Sequence, residues 1–334
     1  MFRRSFLAVS VCAAPGLLTS CGRLRSKASR MQLRVSASNH FSMCPFYLAL
    51  ESGYFAAAGF DIEVARNTQT PQSLPLMAGG KLDVGFVGFG PSVVNAVIRG
   101  ARVRLVAGRE VVSGSCGSMG TIYVSRKAFP NGVRTMRQLQ GRRIGFSGTS
   151  PGTGFMLGMM LENEGMQAKD IVLMRMREPE CVAAVRAGGL DAVFCGEAGF
   201  SPEMQRLDLV RGPSIADLQP NLQYSYIAFG RRLLDGPAET GARFLRAYFR
   251  GAREFRGGRT PRFLDDFAKS ADLDPNMLRQ TCRATFERDG SIHLEDLRRA
   301  MQWMSAEGLC PASVDAGALV DARFLEASRT ADQQ

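Results

Sequence analysis

Histidine is nearly missing from this sequence: His40 and His293 are the two in 334 residues. That scarcity excludes the paired-histidine metal motifs, and no HExxH occurs. There is no GxSxG elbow of the serine hydrolases. No Gly-Lys-Ser/Thr step follows a glycine-rich loop, so there is no P-loop. None of the eight cysteines belongs to a CxxC pair. No short tandem repeat or low-complexity segment is present, and the longest apolar run near the N-terminus falls short of the roughly 20 residues that span a bilayer. Acidic residues are outnumbered, with 31 Asp+Glu against 42 Lys+Arg, a formal charge of +11. That excess raises nucleic-acid binding, but the arginines are scattered and no helix-turn-helix fits before Gln32. What is present is a chain of 45 % hydrophobic and 22 % charged residues, a balance that excludes disorder. Its length suits about two domains.

Residues 1–21 form an export address and are set apart from the fold. Arg3 and Arg4 precede a short apolar run, Pro15 and Gly16 break it, and Leu18-Thr19-Ser20-Cys21 follows. That tetrapeptide resembles the lipobox of bacterial lipoproteins, in which the cysteine is acylated and becomes the mature N-terminus; Cys21 is the lipid attachment site this implies. Arg3-Arg4-Ser5-Phe6-Leu7 also resembles a twin-arginine export signal. Residues 22–30 read as a basic tether. Losing Arg3 and Arg4 lowers the charge to +9. Cys44, Cys116, Cys181, Cys195, Cys282 and Cys310 remain, and their mostly apolar neighbours point to buried thiols.

From residue 32 onward, strand patterns alternate with helix patterns across short glycine-bearing loops, the pattern of a parallel sheet covered by helices. The first series has strands at 32–37, 60–64, 83–87 and 103–107, with helices opening at Pro45, Pro71 and Pro91. After a strand at 121–124 comes a second series, with strands at 143–146, 171–176, 192–195 and 207–210 and helices at 153–163 and 180–187. A strand at 222–229 follows, and the remainder is helical. The strands at 121–124 and 224–229 read as two crossings between domains. The expected division is 31–118 plus 230–334 as lobe 1 and 119–229, with the hinge strands, as lobe 2.

Four segments resemble one family. They are Pro45 to Phe60, Leu76 to Gly85, Leu139 to Phe146 and Ala183 to Phe194, and the order and spacing match the solute-binding proteins of ABC importers in the group for sulfonates, taurine, nitrate or thiamine precursors. The resemblance runs from about Gln32 to Leu325. It implies a two-lobed α/β periplasmic-binding-protein fold of type II, each lobe a parallel-type sheet flanked by helices, joined by two hinge crossings. It also implies a periplasmic or cell-surface protein, anchored through its lipid, that binds a small polar solute, anionic or heteroaromatic, and delivers it as a monomer to ABC permease subunits. Read from the residues alone, Gly-Gly-x-Leu/Asp steps turn a helix into a strand, so Asp83 and Asp191 read as turn residues.

Ligands of open α/β sheets sit outside the carboxyl ends of the strands. The loops there offer Asn39, His40 and Phe41 for hydrogen bonding and stacking on a flat ring. Gln69 and Ser92 add polar groups. Phe89 is either a stacking ring or a core residue. Arg109 is either an anion clamp through its planar fork or a solvated charge. In the second series Gly148, Thr149, Ser150 and Thr153 lead into a helix whose N–H groups and hydroxyls suit an anion, or else make a plain capped connection. Arg177 and Glu197 complete the set, Glu197 either binding an amine or starting a helix.

No catalytic residue, metal or cofactor is expected. Relatives that make a thiamine pyrimidine depend on a cysteine-rich motif that this chain lacks; such an enzyme, or a sensory binding protein docking on a membrane receptor, is the alternative. The arginines from Arg243 to Arg262 recur at three- to four-residue spacing, giving a stripe that reads as a solvated helix face. Nucleic acid is not an expected partner.

Overall fold

The computed structural model describes residues 30–66, 70–113, 120–146, 151–195, 204, 206–280, 283, 285–311 and 314–330. The expected signal peptide with Cys21, and the tether up to residue 29, lie outside them.

Among the described residues ten strands build two sheets: β1 (Met31–Ala37), β2 (Phe60–Arg66), β3 (Val84–Gly88), β4 (Val103–Val111), β5 (Thr121–Ser125), β6 (Arg143–Phe146), β7 (Val172–Arg175), β8 (Ala192–Cys195), β9 (Leu209–Ser214) and β10 (Gln223–Gly230). The first sheet has the order β2-β1-β3-β10-β4 and the second β7-β6-β8-β5-β9. Neither sheet is purely parallel. β10 runs antiparallel to β3 and β4, and β5 runs antiparallel to β8 and β9. Alternation in a sequence marks a strand but not its direction, so the parallel-type sheets expected from the pattern become mixed ones. The reversed strand of each sheet is the one that arrives from the other sheet.

The two sheets repeat one local device. The backbone N–H of Arg34 on β1 donates to the Asp83 carboxylate at 2.8 Å, and Gly230 N–H on β10 donates to Asp83 O at 2.8 Å. In the second sheet Arg143 N–H on β6 donates to the Asp191 carboxylate at 2.9 Å, and Ser125 N–H on β5 donates to Asp191 O at 2.9 Å. Both aspartates therefore fasten the start of one strand to its neighbours, as turn residues do. The hydrogen-bonded guanidinium of Arg143 holds the Asp191 carboxyl below the usual carboxylate range. This contribution is complete above the unfolded-chain value and is lost as pH falls through the lower native one.

Helices cover the sheets where the prolines and glycines predict, with one break. The helix expected from Pro45 to Phe55 is two, Cys44–Glu51 and Tyr54–Ala57. Gly53 between them sits at φ +73°, a left-handed turn that ends one helix and aims the next. The tail returns to the first sheet: helix Ala238–Arg256 buries Phe244, Leu245 and Tyr248 in a core shared with Phe46, Phe55, Phe60 and Phe229, and Phe255 in a second one with Leu48 and Phe286. The arginine stripe on this helix is mostly engaged. Arg243 donates to Ala58 O and lies 5.2 Å over Phe60, Arg250 lies 4.0 Å over Tyr54, and Arg256 donates to Phe286 O. Arg246 pairs with Glu239, and Arg259 pairs with Glu254. The stripe is thus a set of ties between elements. No described helix is long and apolar enough to cross a membrane.

Candidate functional site

The two crossings define where the sheets meet. β4 ends at Val111, and β5 begins at Thr121, which pairs with Cys195 at the carboxyl end of β8. On the return, β9 ends at Ser214, and β10 begins at Gln223, opposite Val111. Each crossing therefore joins the carboxyl edge of one sheet to that of the other, which is where open α/β sheets hold ligands. The crossings are bonded to one another: Val112 N–H donates to Leu222 O at 2.8 Å and Asn221 N–H to Val112 O at 2.7 Å. Asn221 adopts φ +76°, one of two described non-glycine residues in the left-handed region.

At the carboxyl edge of the first sheet a buried ion pair dominates. Arg109 and Glu110 are adjacent in β4, so their side chains would ordinarily leave on opposite faces. Here the ladder slips: Ser225 pairs with Glu110 and Tyr226 with Gly108, leaving Arg109 as the extra residue of a bulge. The bulge brings both side chains together. Arg109 pairs with Glu110, each side chain 7 % exposed. Its Nε donates to Ser225 Oγ at 2.7 Å and its Nη1 to Ser42 O at 3.1 Å, and its plane lies 5.5 Å from the Phe86 ring centre. Arg109 is thus a bolt between the loop after β1, β4 and β10, its fork occupied by protein groups.

Through Ser42 the bolt reaches His40. The N–H of Ser42 donates to His40 Nδ1 at 3.2 Å, so Nδ1 is the acceptor and a neutral ring carries its proton on Nε2. Asn39 donates to Ser270 Oγ at 3.0 Å, and Phe41 stands edge-on to Phe255 with ring centres 5.7 Å apart. The structure therefore gathers Asn39, His40 and Arg109, while Phe41 anchors the loop in the core. Phe89 is also core, 4 % exposed and edge-on to Tyr226.

Ser92 stands at the start of helix Pro91–Ile98, directly after β3, where Gly90 provides no side-chain cap. Its Oγ is buried and has no hydrogen-bond partner among the described residues. β1 and β3 are neighbours, so the loop bearing His40 and the helix start bearing Ser92 leave adjacent strands. Thr70 joins the group by accepting from Gly88 N–H at 3.1 Å.

In the second sheet Thr153 lies buried in the first turn of helix Pro151–Glu162. Arg177 is exposed and folds back on Glu180, whose carboxyl is lowered by the backbone and side-chain hydrogen bonds from Arg177. Neither is brought to the first-sheet cluster by any contact described. Gln69, Gly148, Thr149, Ser150 and Glu197 lie outside the described residues.

Sequence reasoning missed Ser225 and Tyr248. Ser225 is the one small polar residue in the otherwise apolar and aromatic run from Tyr224 to Phe229, a signal that was available. The Tyr248 hydroxyl is fully buried without a hydrogen-bond partner among the described residues, and burial pushes it well above the ordinary tyrosine range, with Arg109 opposing and Glu110 reinforcing. Nothing in the helical pattern around Tyr248 distinguishes it from a core aromatic. Among the described residues no group of three His, Cys, Asp or Glu could hold a metal ion, and Cys44, Cys181, Cys195 and Cys310 are buried.

No curated protein sequence matches the chain. Solved structures do. The alkanesulfonate-binding protein SsuA from Xanthomonas axonopodis pv. citri, bound to MOPS, superposes with a TM-score of 0.65 at 19 % identity, over 88 % of this chain and 99 % of that one. The periplasmic nitrate-binding protein NrtA from Synechocystis PCC 6803 gives 0.66 at 13 % identity, over 91 % of each chain. The desulfurization enzyme DszB gives 0.61 at 15 % identity, over 91 % of this chain and 100 % of that one. At these identities the likeness establishes the fold, that of periplasmic binding proteins. The family model described as NMT1/THI5 like matches residues 40–256, from the His40 loop through the whole of the long tail helix, and the chain belongs to that family.

Proposed function

We propose that this protein is a lipid-anchored extracytoplasmic solute-binding protein. It would capture a small polar solute, anionic or heteroaromatic, between two lobes and pass it to an ABC importer. The lobes are residues 31–118 plus 230–334 and residues 119–229, turning about the two crossings. The observation that carries this reading is that both crossings join the carboxyl edges of the two sheets, so that the first sheet turns its ligand-binding edge toward the second. Asn39, His40 and the orphan hydroxyl of Ser92 form the first-sheet half of the site. The start of helix Pro151–Glu162, with the buried Thr153 in its first turn, would supply the second half, where N–H groups favour an anion. Because the Arg109 fork is already occupied, an anionic group belongs at that second half, and the first half takes the neutral or ring portion of the solute. Sulfonate and nitrate binding by proteins of the same fold agree with this choice of solute class.

The test is a thermal-shift screen with taurine, a short alkanesulfonate, nitrate and an aminopyrimidine at millimolar concentration. One that binds with micromolar affinity stabilises the native state by about 4 kcal/mol at a thousandfold excess, a rise of several degrees. Ser92→Ala should melt where the parent melts, since its hydroxyl bonds to nothing among the described residues, yet lose most of the shift. If none of the probes moves the melting point, the solute class is wrong.

The lipid anchor is tested separately. Cys21→Ala should move the protein from the membrane fraction to the soluble one. Unchanged fractionation would sink the lipoprotein assignment.

DszB favours one second reading, an enzyme on the same fold. Turnover of a sulfonate probe without any thermal shift would select it.

A further inference from the structure

We propose that the segment from Thr285 to Met304 is a clasp across the two crossings, opened and closed by the protonation of His293. The inference rests on the reading of two lobes that move about those crossings.

The clasp is built in three parts. First, the segment runs along the edge of β4: Val111 N–H donates to Thr285 O, Glu287 N–H to Arg109 O and Gly108 N–H to Gly290 O, at 2.7, 2.8 and 2.8 Å. Second, it encloses Gln223, the first residue of β10. Gln223 Nε2 donates to Ser291 O at 2.8 Å, its Oε1 accepts from His293 N–H at 2.9 Å, and its own N–H donates to Asp296 at 2.8 Å. A Cβ on Gly108 would lie 2.1 Å from Gln223 Nε2 and 2.3 Å from Ser291 O, so the slot for this side chain requires glycine. Third, helix Leu294–Ala306 carries the clasp to the other sheet's side. Arg299 donates to Gln219 Oε1 at 2.9 Å, in the return crossing, and Trp303 packs on Phe155 and over Gly158 of helix Pro151–Glu162.

His293 sits where the first two parts join the third, at the start of that helix. Both ring nitrogens face carboxylates: Nδ1 is 3.2 Å from Asp296 and Nε2 is 3.5 Å from Glu287. A neutral imidazole has one N–H and can donate to one of them, leaving a nitrogen lone pair against the other carboxylate. The imidazolium has two and completes both bonds. Glu287 belongs to the stretch along β4 and Asp296 to the helix, so the second proton is what ties these elements together. The other charged groups on these elements include Arg288, which together with Glu287 acts on Arg256, and several that are paired. Arg329 pairs with Asp289, Arg298 with Glu295, and Arg256 donates to Phe286 O. Tyr226 on β10, close to Asp296, donates to Gln223 O at 3.3 Å. Guanidinium groups keep their charge throughout.

Trp303 is the single tryptophan of the chain and reports on the clasp directly. The mature protein, without added solute, is titrated from about pH 5 to 8, the range in which imidazoles exchange protons. Its emission should shift reversibly to the red as pH rises, and its radius of gyration by X-ray scattering should grow in step. His293→Gln should hold the high-pH emission at every pH. Glu287→Gln, which leaves the imidazole in place, should shrink the shift. A flat parent titration overturns the proposal, as does a His293→Gln protein that titrates like the parent. Because no solute is present, the result is independent of the thermal-shift screen that tests solute binding.

Discussion

Replacing Glu110 by glutamine is expected to cost the native state about 3–5 kcal/mol, the usual penalty for removing one partner of a buried ion pair. Glutamine keeps the shape and an acceptor oxygen, so the loss measures charge and not volume. Arg109 cannot escape by shedding its proton, and at 7 % exposure it cannot reach water. Ser225 and Ser42 still accept from it, but neither carries charge. Adding Arg109→Met to Glu110→Gln should recover most of the loss, because the methionine removes the stranded cation and fits beside Phe86 and Met43. Urea unfolding of the two single variants and the double one gives the coupling energy. A Glu110→Gln protein within about 1 kcal/mol of the parent would resemble an exposed pair and would contradict the burial described here.

That pair also marks where the sequence stops being informative. The alternation of strands and helices, the helix-starting prolines and the two steps from a Gly-Gly pair to an aspartate are local, so Asp83 and Asp191 were readable as turn residues before any fold was known. The bulge at Arg109 was not. It follows from the register between β4 and β10, segments more than a hundred residues apart, and it converts a candidate anion clamp into an internal bolt. Direction is another quantity that alternation does not carry, so nothing in the sequence marks the crossing strands β5 and β10 as the reversed ones. The stretch Thr285 to Ser291 lies in a tail that reads as helical, yet its backbone groups complete the edge of β4. His40 and Ser92 were readable as loop residues at strand ends. What the sequence could not tell is that the Ser92 hydroxyl finds no partner among the described residues, because that depends on how distant segments pack around it.

Phe244→Ala should be as costly as the broken ion pair, about 3–5 kcal/mol, for a different reason. Phe244 is fully buried. Its ring stacks on Phe55 at 4.9 Å and meets Phe229 and Phe60 at 6.0 and 6.4 Å. Those partners come from the helix after β1, from the returning strand β10 and from β2. One ring on the tail helix thus closes a core whose walls at Phe55 and Phe60 were laid down nearly two hundred residues earlier. Alanine leaves a cavity that three aromatic rings on separate elements cannot collapse into without shifting their strands. Phe244→Leu should recover a substantial part of the loss, since it returns apolar volume without the ring contacts. Calorimetry of the three proteins tests this through the fall in Tm. A loss below about 1 kcal/mol, the central value for ordinary point substitutions, would mean that helix Ala238–Arg256 merely rests on the first sheet. A loss of the expected size means that the first sheet cannot keep its core until the chain has crossed to the second sheet and come back. The same connectivity obliges any solute site at the carboxyl edges to be framed by both crossings.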